Sequence, residues 1–486
     1  TFCRICLYTI FSLYDKIIHV RFIKKFPISK EGNLYMATSM IKGSPLKSML
    51  QFALPLLVGN LLQQTYNIID AAIVGQVLGA QALASVGAST SVQFLVLGFC
   101  MGSCTGFGIP VAKYFGAGDH KRMKDFIFNG AILTAVIAVI VTTLCAVLCP
   151  WILHMLSVQS DIYANAYIYL MIIFLGIPFT LLYNYLSSIL RAVGDSRTPF
   201  IFLTFSAVLN IFLDLFFIVV AKWGCAGAAF ATIASQAISG ILCLFVIIRR
   251  MKILWLSKEN RVIKKDAIAE LLQMGLPTGL QFSITAIGSM VMQSANNGLG
   301  GDYVSGFTAG VKLKQFTLCP FDAIGTAVSV FCSQNLGAGQ SARIKKGLKE
   351  GIALGIGYGV FAGLILIFFG RPLSMIFVSK DAAGVLDASA QYLRCMGFFY
   401  WTLGILNITR MVTQGLGYSG RAFFSGVTEM FARTIVSLCF VGQFGYNAIC
   451  FADQTAWVAA CCYIAPTCFY CVKKVTRMLQ GTPAEA

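Results

Sequence analysis

The sequence predicts an all-α integral membrane protein: twelve transmembrane helices in two six-helix lobes, related by a pseudo-two-fold axis along the membrane normal. Three observations carry that expectation. Only 12% of the 486 residues are charged against 57% apolar, and the mean hydropathy is +0.78. Soluble domains carry about 25% charged residues, so too little polar side chain is present to cover a water-facing surface. Apolar stretches long enough for a bilayer-spanning helix, about 20 residues, recur along nearly the whole chain. The second half then repeats the first at a near-constant offset. The alternating polarity of a transmembrane β-barrel is not found in the sequence.

Residues 1–35 are basic and aromatic. Their apolar part, Ile5 to Leu13, is too short to span and lacks the small-residue cleavage site of a secretory signal. Met36 opens a polar run, Ala37 to Lys47, suited to a cytoplasmic amino terminus. Residues 1–35 are therefore set aside, and 1–45 are taken as an N-terminal cytoplasmic extension. Spans are expected near 48–74, 84–112, 125–150, 162–188, 199–221 and 224–249 in a first lobe, 46–250. A basic cytoplasmic linker, 251–266, leads to spans near 268–295, 304–333, 347–370, 385–412, 422–443 and 448–472 in a second lobe, 267–473. Residues 474–486 are read as a cytoplasmic tail.

The loops sort by charge. Lys113, Lys121, Arg122 and Lys124, Arg191 and Arg197, and Arg343, Lys345, Lys346 and Lys349 fall on one side. So does the run from Arg249 to Lys265, with seven basic residues. The opposite loops hold little beyond Lys222, Arg371 and Lys380. Basic loops stay in the cytoplasm, which puts both termini there, and the chain is expected in the plasma (inner) membrane as a multi-pass protein. The net charge of +18 is thereby explained without nucleic acid. Most of the 17 cysteines are dispersed through apolar segments, and the close pairs Cys3/Cys6, Cys100/Cys104 and Cys468/Cys471 lack the partners of a zinc site. No transition metal and no disulfide framework are expected.

Matched punctuation reveals the repeat. Leu50-Gln51-Phe52-Ala53-Leu54-Pro55 answers to Leu272-Gln273-Met274-Gly275-Leu276-Pro277, and Gly116-Ala117-Gly118 to Gly337-Ala338-Gly339. Gly194-Asp195-Ser196 answers to Gly417-Tyr418-Ser419, at offsets that stay between 221 and 223. Six helices per half is an even number, so the two halves run parallel, and a duplication of this kind places a cavity between two bundles.

Ionisable residues inside a span are functional candidates by default. Asp70 lies on the first span and Asp214 on the fifth, neither with a basic residue nearby on its own helix. Asn210 and Asp214 are four apart and share a helix face. An uncompensated buried carboxylate binds a proton or recruits a cation; the alternative is a helix cap or a water-facing side chain. Pro55 deprives the first helix of a hydrogen bond and is a candidate bending point. Glu429 and Arg433, also four apart, can pair with each other, and Lys312 and Lys314 are read as snorkelling to an interface. The Gly-Ala-Gly loops are read as tight turns that use positive φ. They match no nucleotide fingerprint, which disfavours ATP-driven transport.

From about residue 42 to 472 the chain resembles the multidrug and toxic compound extrusion (MATE) family, prokaryotic type. The residues that carry the resemblance are Phe52-Ala53-Leu54-Pro55, Asp70 with Val74-Gly75, the two Gly-Ala-Gly loops with Gln334-Asn335, and Arg191-Ala192-Val193-Gly194-Asp195. The resemblance implies a V-shaped pair of lobes that exports cationic or amphipathic small molecules in exchange for Na⁺ or H⁺ by alternating access. It also implies a first-lobe cation site of Asp70, Asn210, Asp214 and Thr232. Some members carry a glutamate on the seventh helix. Here Gly279 to Thr285 has none, which places the ion in the first lobe. Gln281 is a candidate substrate contact, with a bond to a neighbouring helix as the alternative.

No catalytic residues and no cofactor beyond the coupling ion are expected, and the partners are a small-molecule substrate and membrane lipid, with the chain a monomer. The alternative is a flippase for a lipid-linked or polysaccharide precursor, which would need a basic cavity built from Lys312, Lys314 and Arg410. A membrane-embedded enzyme would need a clustered nucleophile and base, or a metal set, and the spans show neither.

Overall fold

The computed structural model describes residues 39–156 and 158–481. The expectations for residues 1–35, for Met36 and for the last five residues of the tail lie outside them. The described residues are almost entirely helical. The first half comprises α1 (Pro45–Leu78), α2 (Ala80–Gly116), α3 (His120–Met155), α4a (Ser160–Leu175) with α4b (Ile177–Ala192), α5 (Arg197–Asp214) and α6 (Gly224–Arg250). The second comprises α7 (Lys265–Asn297), α8 (Gly301–Gly337), α9 (Ser341–Ser374), α10 (Ala383–Gly415), α11 (Ser419–Ile435) and α12 (Tyr446–Leu479). Each predicted span coincides with one of these helices. The fourth is bent by 44° between α4a and α4b, at Gly176.

Among the described residues nine helices are long and apolar enough to cross a membrane, ten if the bent pair counts as one span. α7 and α10 are as long as the others but more polar. α10 shows why: Thr402, Thr409, Arg410, Thr413 and Gln414 are all buried, so neighbouring helices shield them from lipid. A helix enclosed by protein can carry the polar groups that a lipid-facing helix cannot. Elsewhere the lipid side is plain, as with Val139, Ile140, Leu144 and Val147 of α3 and Phe361, Leu364, Phe368 and Phe369 of α9.

The repeat is visible in the backbone. Positive-φ glycines Gly79, Gly118, Gly194 and Gly224 recur as Gly300, Gly339, Gly417 and Gly445. A π-helical segment extends α5 (Leu215–Val220), and another extends α11 (Val436–Phe440) at the corresponding place. A buried polar residue stands at each junction: Asp214, the last residue of α5, in one half and Ser437, the second residue of the π segment, in the other.

The halves meet at the end that carries the basic loops. There α2 and α7 cross glycine against glycine: a Cβ on Gly102 would lie 2.8 Å from Gly279 Cα, and one on Gly106 2.7 Å from Gly275 Cα. Small residues four apart on both helices allow such an approach, which van der Waals contact rewards in lipid. Lys113 pairs with Glu270 at 3.2 Å and Arg122 with Asp266 at 3.0 Å beside it. The Gly-Ala-Gly loops turn as expected, at Gly118 and Gly339, but they have a second role. Gly116 abuts the Gln334 carbonyl, and Gly337 abuts the Lys113 carbonyl. Since Gly337 and Gln334 are the repeat equivalents of Gly116 and Lys113, these are the reciprocal contacts that a two-fold axis generates.

First helices are exchanged at this end. Met49, Phe52, Ala53 and Leu56 of α1 pack in a core built from α8, α9, α10 and α12. Farther along, Gly59 meets Leu203 and Phe200 of α5, and Val74 joins the first-half core with Ala82, Tyr169 and Ile218. α1 thus changes partner between residues 56 and 59, next to Pro55, while remaining helical throughout. The linker is bound to α3: Lys264 pairs with Asp125 at 2.6 Å, Asn260 donates to Asp125 at 3.1 Å, and Asn129 donates to the Val262 carbonyl at 3.1 Å.

Candidate cation site in the first half

Asp214 is the last α-helical residue of α5, and the π segment that follows widens the turn beside it. π segments interrupt helices most often at functional positions. Its side chain is 0% exposed. Asp70, on the part of α1 that belongs to the first half, brings its carboxyl against that of Asp214. Asn210 lies one turn before Asp214. With its amide nitrogen toward Asp214, it donates to Oδ2 at 3.2 Å and accepts from the Thr232 backbone N–H at 3.2 Å. In the opposite orientation it donates to Thr232 Oγ1 at 3.4 Å. The Thr232 hydroxyl itself donates to the Ala228 carbonyl at 3.1 Å. All four residues named from the resemblance are therefore neighbours, held by α1, α5 and α6.

Two tyrosines border the pair, and a glutamine adjoins one of them. Tyr169 of α4a is buried and faces Asp70, Asp214, Gln93 of α2 and Tyr66 of α1. Sequence reasoning passed over them because an isolated Tyr or Gln in a span is unremarkable. The signal was in the repeat, where Tyr169 and Gln93 have polar counterparts at Tyr392 and Lys314.

Among the described residues, no ion pair involves Asp70 or Asp214, and one oxygen of each (Oδ1) is buried without a hydrogen-bond partner. Two adjoining carboxyls in a low-dielectric setting cannot both stay ionised unless a proton or a small cation joins them. Oxygen ligands from a carboxylate pair, an amide and a hydroxyl suit a hard monovalent cation as well as a proton.

A family model described as MatE matches this chain twice, over residues 55–216 and 277–439. The chain belongs to the MatE family. Each matched block is one half of the repeat, and the two begin at the equivalent prolines Pro55 and Pro277. Among curated relatives, YpnP of Bacillus subtilis (strain 168), named a probable multidrug resistance protein, is 32% identical over 78% of this chain and 85% of its own length. NorM of Thermotoga maritima, named in the same way, is 26% identical over 76% and 80%. A solved multidrug resistance MATE family transporter in an outward-facing conformation superposes with a TM-score of 0.84 at 18% identity, covering 90% of this chain and 98% of that one.

Other candidate residues of this MatE chain are placed differently. Gln281 is buried and accepts from Gln414 Nε2 at 2.6 Å, so it faces α10 rather than the space between the halves. Glu429 and Arg433 do pair, at 2.9 Å, within a larger buried network. Lys314 does not snorkel. It lies in mid-α8 and pairs with Asp453 at 2.6 Å. Arg410 pairs with Glu429 at 2.7 Å. These carboxylates neutralise the two cations that a basic cavity would have needed. Lys312 is exposed over the Phe377 ring.

Proposed function

We propose that this chain is a secondary-active antiporter of the plasma (inner) membrane, exporting cationic or amphipathic small molecules in exchange for Na⁺ or H⁺. The carrying observation is the adjoining pair Asp70–Asp214, with Asp214 fully buried, Asp70 half-buried, and no basic partner for either among the described residues. The names of YpnP and NorM favour drugs and other foreign compounds as cargo. The basic loops at one end of the bundle favour that end, and both termini, as cytoplasmic. The named contacts joining the halves, such as Lys113–Glu270, Gly116–Gln334 and Gly102–Gly279, lie at that end or at mid-helix, which supports an outward-open reading of this conformer.

In the proposed cycle, the outward-facing chain takes a cation from outside onto Asp70, Asp214, Asn210 and Thr232. Loading draws α1 and α5 together, and α1 adjusts where it passes from one lobe to the other beside Pro55. The drug leaves, and the loaded chain returns inward. Ion and drug weaken each other's binding reciprocally. The chain performs this cycle as a monomer.

The test is substrate-dependent ion flux in proteoliposomes, with Na⁺ and pH gradients imposed separately. Uptake of a cationic dye should follow one of the two gradients and discharge it. Dye movement that ignores both would overturn antiport. The bending role of Pro55 has its own check. Pro55→Ala restores a backbone hydrogen bond and straightens α1 locally, so export should fall severalfold while the ion still binds at the carboxyl pair. Unchanged export would remove Pro55 from the cycle.

A further inference from the structure

The second lobe contains a buried chain of charges that the export cycle does not use. Asp453 of α12 is 0% exposed and accepts from Lys314 Nζ at 2.6 Å and from the Tyr392 hydroxyl at 2.7 Å, while Arg433 Nη2 reaches its other oxygen at 2.9 Å. Arg433 also binds Glu429, and Glu429 binds Arg410. Burying this many charges is expensive even when they are paired. The positions of the members give a reason for keeping them.

Each anchor of the repeat fixes the register of one helix pair. Gly116 and Gly337 set α2 against α8 at 221, and Gly194 and Gly417 set α4b against α10 at 223. Phe200 and Phe217 match Phe423 and Phe440, setting α5 against α11 at 223, and Gly224 with Phe230-Ala231 matches Gly445 with Phe451-Ala452, setting α6 against α12 at 221. In those registers Gln93 corresponds to Lys314, Tyr169 to Tyr392, Asn210 to Arg433, Asp214 to Ser437 and Thr232 to Asp453. The contacts correspond as well. Tyr169 adjoins Gln93 as Tyr392 adjoins Lys314, at 3.5 Å in the second lobe. Asn210 donates to Thr232 Oγ1 at 3.4 Å, and at the matching place Arg433 Nη2 forms an ion pair with Asp453 Oδ1 at 2.9 Å. The buried network therefore occupies the position of the first-lobe cation site. Of its two carboxylates, Asp453 sits on the last helix at the place of Thr232 and Glu429 at the place of Ser206, while Met292 replaces Asp70.

We propose that the second lobe holds a copy of the cation site that is permanently filled by the protein's own cations, the Lys314 ammonium and the Arg433 guanidinium standing where a mobile ion would sit. A tethered ammonium 2.6 Å from Asp453 satisfies the carboxylate, and a second cation approaching it would meet two positive charges in a medium of low dielectric. The second lobe is thus fixed in the equivalent of the ion-loaded state, and exchange is confined to the first. This rests on the reading of Asp70 and Asp214 given above, but its main test does not.

The main test restores the first-lobe residues at the second site in a chain whose first site is disabled, Asp214→Asn/Lys314→Gln/Arg433→Asn. The purified protein, in detergent, is titrated with radioactive sodium and, in parallel, with acid to count protons taken up. Asp214→Asn alone should bind no sodium. The triple variant should gain one sodium or one proton per chain, and adding Asp453→Asn should remove it. A folded, monodisperse triple variant that gains neither overturns the proposal.

If that variant misfolds, the reverse graft decides. Gln93→Lys places a tethered ammonium beside Asp70 and Asp214, and should abolish ion binding to the first lobe, whereas Gln93→Met should retain it. Equal binding by the two overturns the proposal. If Asp214→Asn binds the ion as the native chain does, the first-lobe reading fails instead, and the gain or lack of an Asp453-dependent ion in the triple variant still decides the second.

Discussion

Asp214→Asn is expected to abolish ion-driven export while leaving the protein inserted and folded. The substitution keeps the size of the side chain and its bond to Asn210, but removes the charge proposed to retain a cation between α1 and α5. One elementary charge crossing 100 mV is worth about 2.3 kcal/mol, enough for roughly a fifty-fold concentration ratio of cargo. Without the carboxylate that energy is not coupled, and the ratio should fall to one. Dye accumulation in energised vesicles measures it directly. Asp70→Asn should behave in the same way, and the double variant should be no worse than either single, since the two groups act as one unit. Retained export in Asp214→Asn would dismiss the pair as the coupling site.

A wedge at the crossing of the halves should have the next largest effect. A Cβ at Gly116 would overlap the Gln334 carbonyl, and one at Gly337 the Lys113 carbonyl. Backbone on both sides leaves little to yield, so each alanine should cost about 1–3 kcal/mol in the form where this end is closed. Gly116→Ala/Gly337→Ala should therefore favour the opposite, inward-open arrangement by an order of magnitude or more. Distances between spin labels on Lys121 and Lys345 should lengthen, and export should slow. Unaltered distances with native stability would show that the contact loosens freely. The lost stability of the closed form has a second readout, since a drug that binds the inward-open form should bind the double variant more tightly.

The long apolar helices and the duplication were legible because bilayer length and punctuating glycines leave local marks: Gly118 and Gly339, or Gly194 and Gly417, stand out in any span of leucines. Asp70 and Asp214 were legible because a carboxylate in hydrocarbon is rare. Lys314 was misread for want of its partner. Asp453 lies 139 residues away on another helix, and no local pattern links them. The bend at Gly176 had a local mark in Gly176-Ile177-Pro178, where the proline cannot continue the preceding helix's hydrogen bonding; the π segments depend on how side chains from neighbouring helices fit, and no local run of residues predicts them. Gly116 and Gly337 were legible as turns yet not as a crossing point, because a close approach needs both partners in view.

The seating of α1 among α8, α9, α10 and α12 bears on how the polypeptide can be divided. A fragment ending at Arg250 would leave Phe52, Ala53 and Leu56 without neighbours, and one starting at Lys265 would expose Gly275 and Gly279 to lipid. Neither piece is self-sufficient. Severing the backbone between Trp255 and Lys258, by contrast, preserves every interhelical seat, so two fragments made from separate messages should find each other in the bilayer and co-purify. The linker then serves as a convenience of synthesis, while the exchanged first helices do the work of joining.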